Sequence, residues 1–242
     1  TTNSGGILPN NSYNRYNFTA RNTTHFLNDK LTLDIGAQYI VQNNKNMVSQ
    51  GQYYNPLPSL YLFPRGDNFD EIRLYERYNT NYGYMEQYWP YGDASLSLQN
   101  PYWIQNRINR TSNKKRYMMN ASLKWQAADW LNVVGRVNLD NSDYRNKNEK
   151  SASTLTTFCG VSGGFEDAMR QERSLYADFL ANIDKTFGDF HLTANVGASI
   201  YHTSMDQLYI AGDLVIPNFF QINNINFSAN YKPCLLYTSP SP

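Results

Sequence analysis

The sequence predicts an all-β fold, a partial transmembrane antiparallel β-barrel of about six strands paired as three hairpins. Three observations predict it. Apolar residues recur with period two in six segments. The turns inside each pair of segments are short, while the linkers between pairs are long. The alternating segments run for 10 to 14 residues. That is enough for the about 9–11 that a tilted membrane strand needs, and longer than the about 5–6 of an ordinary soluble strand.

The first hairpin covers 13–26 and 31–42. In YNRYNFTARNTTHF, Tyr16, Phe18 and Ala20 alternate with Asn17, Thr19 and Arg21. Asn28-Asp29 supplies turn chemistry. In LTLDIGAQYIVQ, Leu31, Leu33, Ile35, Ala37, Tyr39 and Val41 share one parity. Thr32, Asp34, Gly36, Gln38 and Gln42 take the other, interrupted only by Ile40. Successive strand side chains point to opposite faces, so one face is apolar and one polar. The second hairpin covers 116–126 and 131–140, with Tyr117, Met119, Ala121, Leu123 and Trp125 followed by Leu131, Val133, Val137 and Leu139. The third covers 174–185 and 190–201. Leu175, Ala177, Phe179, Ala181 and Ile183 lead through a Gly188-Asp189 turn to Phe190, Leu192, Ala194, Val196, Ala198 and Ile200.

The linkers 43–115, 141–173 and 202 onward separate lipid from protein core as the destination of the apolar face. Structureless loops beyond about 12–15 residues are uncommon in a compact domain. Outer-membrane barrels alternate short periplasmic turns with long external loops. Asp34, Arg136, Asp178 and Asp184 on the second face suit a wide lumen and the outside of a sandwich equally. Tyr16, Phe26, Tyr39, Trp125, Trp130, Phe187, Phe190 and Tyr201 lie near strand ends and read as girdle residues at the membrane–water interface.

Composition narrows the function classes. Net charge is +1 with 17% charged residues, so nothing suggests a nucleic-acid partner. Mean hydropathy is −0.62, and no stretch approaches the about 18 apolar residues of a membrane helix. Twenty tyrosines and 15% aromatics suit strands with girdles and polar, ring-rich loops. The opening TTNSGGILPNN has neither a basic start nor an apolar run, so no signal peptide is read there. The two cysteines, Cys159 and Cys234, form no disulfide framework. The closing CLLYTSPSP, 234–242, resembles translated sequencing-adapter sequence and is set aside as a non-native tail.

No residue pattern carries catalysis. His25, His191 and His202 stand apart, no metal-ligand spacing occurs, and no nucleophile motif appears. Asp67, Asp70 and Glu71 read as a solvated acidic loop rather than a calcium site. No cofactor and no enzyme activity are expected. The informative residues are the rings of linker 43–115. Sugar rings stack on aromatic faces, and their hydroxyls need polar partners such as Asn, Gln, Asp and Arg. Tyr53, Tyr54, Trp89 and Trp103 are the candidate ligand contacts, although packing of the loop on itself or on a partner is the commoner role for any one such ring.

Gly51 to Asn79 reads GQYYNPLPSLYLFPRGDNFDEIRLYERYN, flanked by NRYNFTARNTTHFLNDKLTLDIGAQYI upstream and by QNPYW and WLNVVGRVNLD downstream. In order and spacing these motifs resemble the SusC/RagA family of TonB-linked outer-membrane transporters, over residues 1–233. The resemblance implies a stretch of a 22-stranded, plugged barrel in the bacterial outer membrane. It also implies import of oligosaccharides or of other large nutrients such as peptides, a capping SusD-like surface lipoprotein, and energy from the TonB complex through parts absent from this chain. Residues alone leave two alternatives open: a passive porin or adhesin-like barrel, and a soluble aromatic-rich glycan-binding β protein.

Overall fold

The computed structural model describes residues 1–227 and the backbone of 234–238. Its main sheet has eight strands: β1 Thr2–Gly5, β2 Ser12–Phe26, β3 Leu31–Lys45, β6 Ile108–Ala128, β7 Leu131–Lys150, β8 Gly164–Phe187, β9 Phe190–Asp213 and β10 Cys234–Thr238. Every neighbouring pair is antiparallel, in the order β1-β2-β3-β6-β7-β8-β9-β10. Between β3 and β6 lie helix α1 (Pro56–Tyr61), hairpin strands β4 (Glu76–Asn79) and β5 (Tyr84–Gln87), and helix α2 (Pro101–Arg107). No described helix is long and apolar enough to cross a membrane.

All three expected hairpins form, with their expected turns. They extend further than alternation alone predicts. The linker expected at 43–115 shortens to 46–107, that at 141–173 to 151–163, and the third begins at 214 rather than 202. Some of the added residues, such as NSDYRNKNEK at the end of β7, are polar on both faces. Ladder hydrogen bonds extend the strands there without an apolar stripe. Two strands beyond the expected six flank the hairpins. Of the tail set aside above, 234–238 pair with β9 through Cys234↔Tyr209 to Thr238↔Met205, and 239–242 lie outside the described residues. An unpaired strand edge readily accepts another extended segment.

The register places the apolar residues of different strands on one face. Ile35 is level with Ala121, Val137, Ala177 and Ile200. Leu33 is level with Leu123, Gly135, Phe179 and Ala198. This face is uncovered: Phe18 is 74% exposed, Ile35 48%, Met119 51% and Val196 61%. The buried apolar clusters lie instead at the loop end, around Trp103, Ile104 and Ile108 and around Phe165, Leu214 and Ile225.

The apolar band also slants through the register. Its upper limit is Val41 on β3, Tyr117 on β6, Leu139 on β7, Leu175 on β8 and Ile200 on β9. Ile200 is level with Ile35, so the limit falls six residues over four strand steps. The turn end falls with it. Val196 is level with Leu31, and β9 runs six residues further down to Phe190. With about 3.4 Å per residue and about 4.8 Å between strands, a level band needs strands tilted by roughly 45°, close to the tilt of membrane barrels.

The opposite face is polar and internally neutralised. Arg21 meets Asp34 at 2.7 Å, Arg136 meets Asp178 at 2.9 Å, and Arg116 Nε donates to Asp140 at 2.8 Å. Tyr201, expected in the girdle, pairs with Tyr176 on this polar face, one residue out of phase with Ile200. A ring at a strand end belongs to the girdle only when its parity matches the apolar face, and that of Tyr201 does not.

Candidate functional site

The loop end of the sheet carries an interlocked layer. Two Asn-Pro steps start its helices. Asn55 Oδ1 accepts from the Leu57 N–H at 3.0 Å, and Asn100 Oδ1 from the Tyr102 N–H at 2.9 Å, with Pro56 and Pro101 in the first helical turn. A side-chain cap followed by proline is a strong helix start, because proline needs no partner for the N–H it lacks. Asn100 is fully buried and ties three segments together. Its Nδ2 donates to the Ile72 carbonyl at 2.8 Å and the Tyr88 carbonyl at 3.0 Å, and its own N–H donates to Gln87 Oε1 at 2.9 Å. Arg107 forks onto Glu76 at 2.5 and 2.9 Å, fixing hairpin β4–β5 to α2. These contacts raise the pKa of Arg107 further, the hydrogen bond to Glu76 being the main cause.

The loops then bind one another. Trp103 Nε1 donates to Thr154 Oγ1 at 3.1 Å, and the Leu155 N–H donates to Gln99 Oε1 at 3.0 Å. The Gln87 N–H donates to Ser153 Oγ at 2.9 Å. From the third loop, Asn218 Oδ1 accepts from the Ala152 N–H at 2.8 Å, and the Leu214 N–H donates to the Gly163 carbonyl at 2.9 Å. Gly163, at φ +95°, turns the chain into β8 where a Cβ would meet the backbone of Lys150 to Ala152. The inter-strand loops therefore form a single layer over the end of the sheet.

The four candidate rings fall in three different settings. Tyr53 and Tyr54 come together, flanking Phe158 at centroid distances of 5.4 and 4.9 Å. Trp89 belongs to a separate cluster: it packs edge-on to Tyr91 at 5.0 Å, Tyr91 contacts Phe63, and Trp89 Nε1 donates to the Gly92 carbonyl at 2.6 Å. Trp103 is 0% exposed and forms the centre of the layer's core, with Ile104 and Ile108. Its ring is enclosed by protein, so it holds the layer in shape rather than presenting a face to a ligand.

Periodicity gave no sign of the charged groups around Tyr54. This residue adopts φ +57°, a left-handed conformation that is uncommon outside glycine. The Arg110 guanidinium lies 5.4 Å and the Lys150 ammonium 5.7 Å from its ring centroid. Arg110 Nη2 also donates to the Tyr54 carbonyl at 3.3 Å and the Met47 carbonyl at 2.7 Å, and Nη1 bonds Ser49. Burial lowers the pKa of Arg110. Lys150 is buried and ion-pairs with Glu166, while its Nζ donates to the Phe158 carbonyl at 3.1 Å. Desolvation opposes its charge, but the Glu166 carboxylate outweighs that and raises its pKa. Arg110, Lys150 and Glu166 share the parity of the polar face, so Tyr54 sits where the loop layer meets that face. Cys159 is buried beside this group, and desolvation pushes its thiol up to about 11. Among the described residues no group of His, Cys, Asp and Glu is placed to hold a metal ion.

No family model and no curated protein matches the sequence. Among solved structures the chain is similar to one described as the RagAB peptide importer in the "open-open" state. The similarity has a TM-score of 0.62 at 13% identity and covers 89% of this chain. The chain spans 23% of the length of that one. At this identity the likeness is one of fold: the tilted sheet with its loop layer is a partial antiparallel barrel wall.

Proposed function

We propose that this chain is part of the wall of an outer-membrane active importer, TonB-dependent and SusC-like, for oligosaccharides or other large nutrients such as peptides. The observation that carries the reading is the uncovered apolar band, level only in a tilted sheet and backed by a polar face whose charges are largely ion-paired. Lipid is the medium that suits the first face, and a water-filled lumen suits the second. The strands of 20 to 24 residues in β7, β8 and β9 exceed the about 9–11 that cross a membrane. Their upper halves then stand outside and carry the loops. The importer named in the structural comparison supports transport as the task. The loop layer leaves Tyr61, Tyr78, Tyr82, Val161 and Ile216 exposed, an apolar surface suited to a SusD-like lipoprotein cap. Tyr53, Tyr54 and Trp89 keep partly exposed rings and are the proposed ligand contacts of the layer. The chemistry of the chain is binding and passage; we assign it no catalytic step.

The test is uptake of labelled oligosaccharides and peptides by cells producing the complete protein, with and without a proton uncoupler. An active importer loses uptake by at least tenfold when the gradient collapses. Uptake unchanged by the uncoupler would assign the wall to a passive barrel instead.

A further inference from the structure

The polar face holds a cavity of about 380 Å³ directly beneath the Tyr54–Arg110 contact. Its lining residues include Asn44, Arg110, Ser112, Asn148, Glu166 and Lys147. Two of its oxygens stand out. Asn44 Oδ1 and Asn148 Oδ1 are both shielded by protein and accept no hydrogen bond. Buried polar atoms are nearly always paired, because an unmet one costs about 1–3 kcal/mol. The guanidinium nearby is already engaged. Arg110 spends its guanidinium on Ser49 and on the carbonyls of Met47 and Tyr54. Asn148 Nδ2 points to Glu166 at 3.4 Å, which fixes its Oδ1 toward the opposite side. Glu166 adds carboxylate oxygens, one of them shared with Lys150.

Lys147 also borders the cavity but has the parity of the opposite face, so from the polar face the cavity offers two unmet acceptors and no uncommitted cation. We infer that it is a binding subsite for an uncharged, donor-rich ligand segment, one presenting hydroxyl or amide hydrogens. The inference rests on the importer reading and deepens it by naming the ligand chemistry at the lumen mouth. Sugar hydroxyls and peptide N–H groups share that chemistry. Carboxylated sugars and acidic peptides do not suit the site, since an anion would meet Glu166 and the two amide oxygens with no cation to spare. The volume fits one anchoring segment of a longer chain, at the small end of ligand pockets. Arg110 lines the cavity and also bonds the Tyr54 carbonyl, so a segment seated there lies beside the aromatic layer.

Equilibrium binding to the complete, purified protein tests this. The probes are neutral oligosaccharides, uronic-acid oligosaccharides, neutral peptides and acidic peptides of matched length. In the wild type, a neutral panel binds at least tenfold tighter than its acidic counterpart. Asn44→Ala with Asn148→Ala weakens the preferred neutral panel at least tenfold, and the panel affected identifies hydroxyls or amides as the donors. Asn44→Asp, which keeps the acceptor oxygens in the same outline, stays within about threefold of wild type. Unaltered shielding of Cys159 from maleimide shows that each variant keeps the loop layer. Should the double variant lose that shielding, Asn44→Ala alone serves, with a weakening of at least threefold expected. Neutral binding unchanged in the variants, a preference for acidic probes, or no binding of either neutral panel overturns the inference. Energy-independent uptake with intact variant effects would overturn the importer reading and leave the subsite standing.

Discussion

Arginine in place of Ile35 or Val196 is expected to destabilise the inserted barrel by about 2–4 kcal/mol, the cost of a cation on the lipid face near the midplane. Both positions lie in the middle of the apolar band on their own strands, β3 and β9, although the register sets them four residues apart. That offset is the useful part. A soluble sheet packed against a partner would bury residues level in the register, whereas a tilted wall in a bilayer brings Ile35 and Val196 to within about two residues of the same depth. Similar penalties at both sites follow from the tilt. Arginine at Gln38 or Ser199, which lie on the polar face, should cost almost nothing. Urea unfolding of the complete protein in bilayers reads the difference, and wild-type stability in both Ile35→Arg and Val196→Arg would contradict the account.

Trp103→Ala is expected to have the largest effect on the loop layer. Truncating a fully enclosed tryptophan costs about 3–5 kcal/mol. Here it removes the packing of Ile104 and Ile108 and leaves Thr154 without the indole donor. Cys159 is the reporter, because it is buried in the loop that Trp103 holds and its thiol is pushed up to about 11. The thiolate is the reactive form, so in the closed layer reaction with maleimide at neutral pH is slow on both counts. Each 1.4 kcal/mol is tenfold in an opening equilibrium, so Trp103→Ala should speed labelling by roughly 100-fold or more. Trp89→Ala, which touches only its own surface cluster, should leave the rate within about threefold. An unchanged rate in Trp103→Ala would show that the three loops are not held as one body.

How much of this was legible in the sequence follows from where alternation has a cause. Between Leu31 and Val41 or between Phe190 and Ile200, one face is apolar and the other polar, so period two is written into the residues. Above that band, in 108–115 and 141–150, both faces are polar, and in 164–173 and 202–213 the apolar residues do not alternate. Stretches such as TSNKKR and DNSDYRNKNEK then read as loop although they are strand. The helices of the loop layer had a readable signal in Asn55-Pro56 and Asn100-Pro101, an N-cap followed by proline, which periodicity alone passes over. Two further features had none. Nothing local distinguishes Trp103, wholly enclosed, from Trp89, partly open. The meeting of Tyr54 with Arg110, Lys150 and Glu166 joins residues from three separate parts of the chain.

The central claim is that one face of this sheet meets lipid and the other a water-filled lumen. Single cysteines placed along β9 from Phe190 to Ser199 in the complete protein, on a Cys159→Ser background, test it most directly. A spin label at each position is probed with membrane-soluble oxygen and with a water-soluble paramagnetic complex. Accessibility to oxygen should peak at 190, 192, 194, 196 and 198, and accessibility to the aqueous probe at 191, 193, 195, 197 and 199. Uniform aqueous accessibility at both parities would contradict the account.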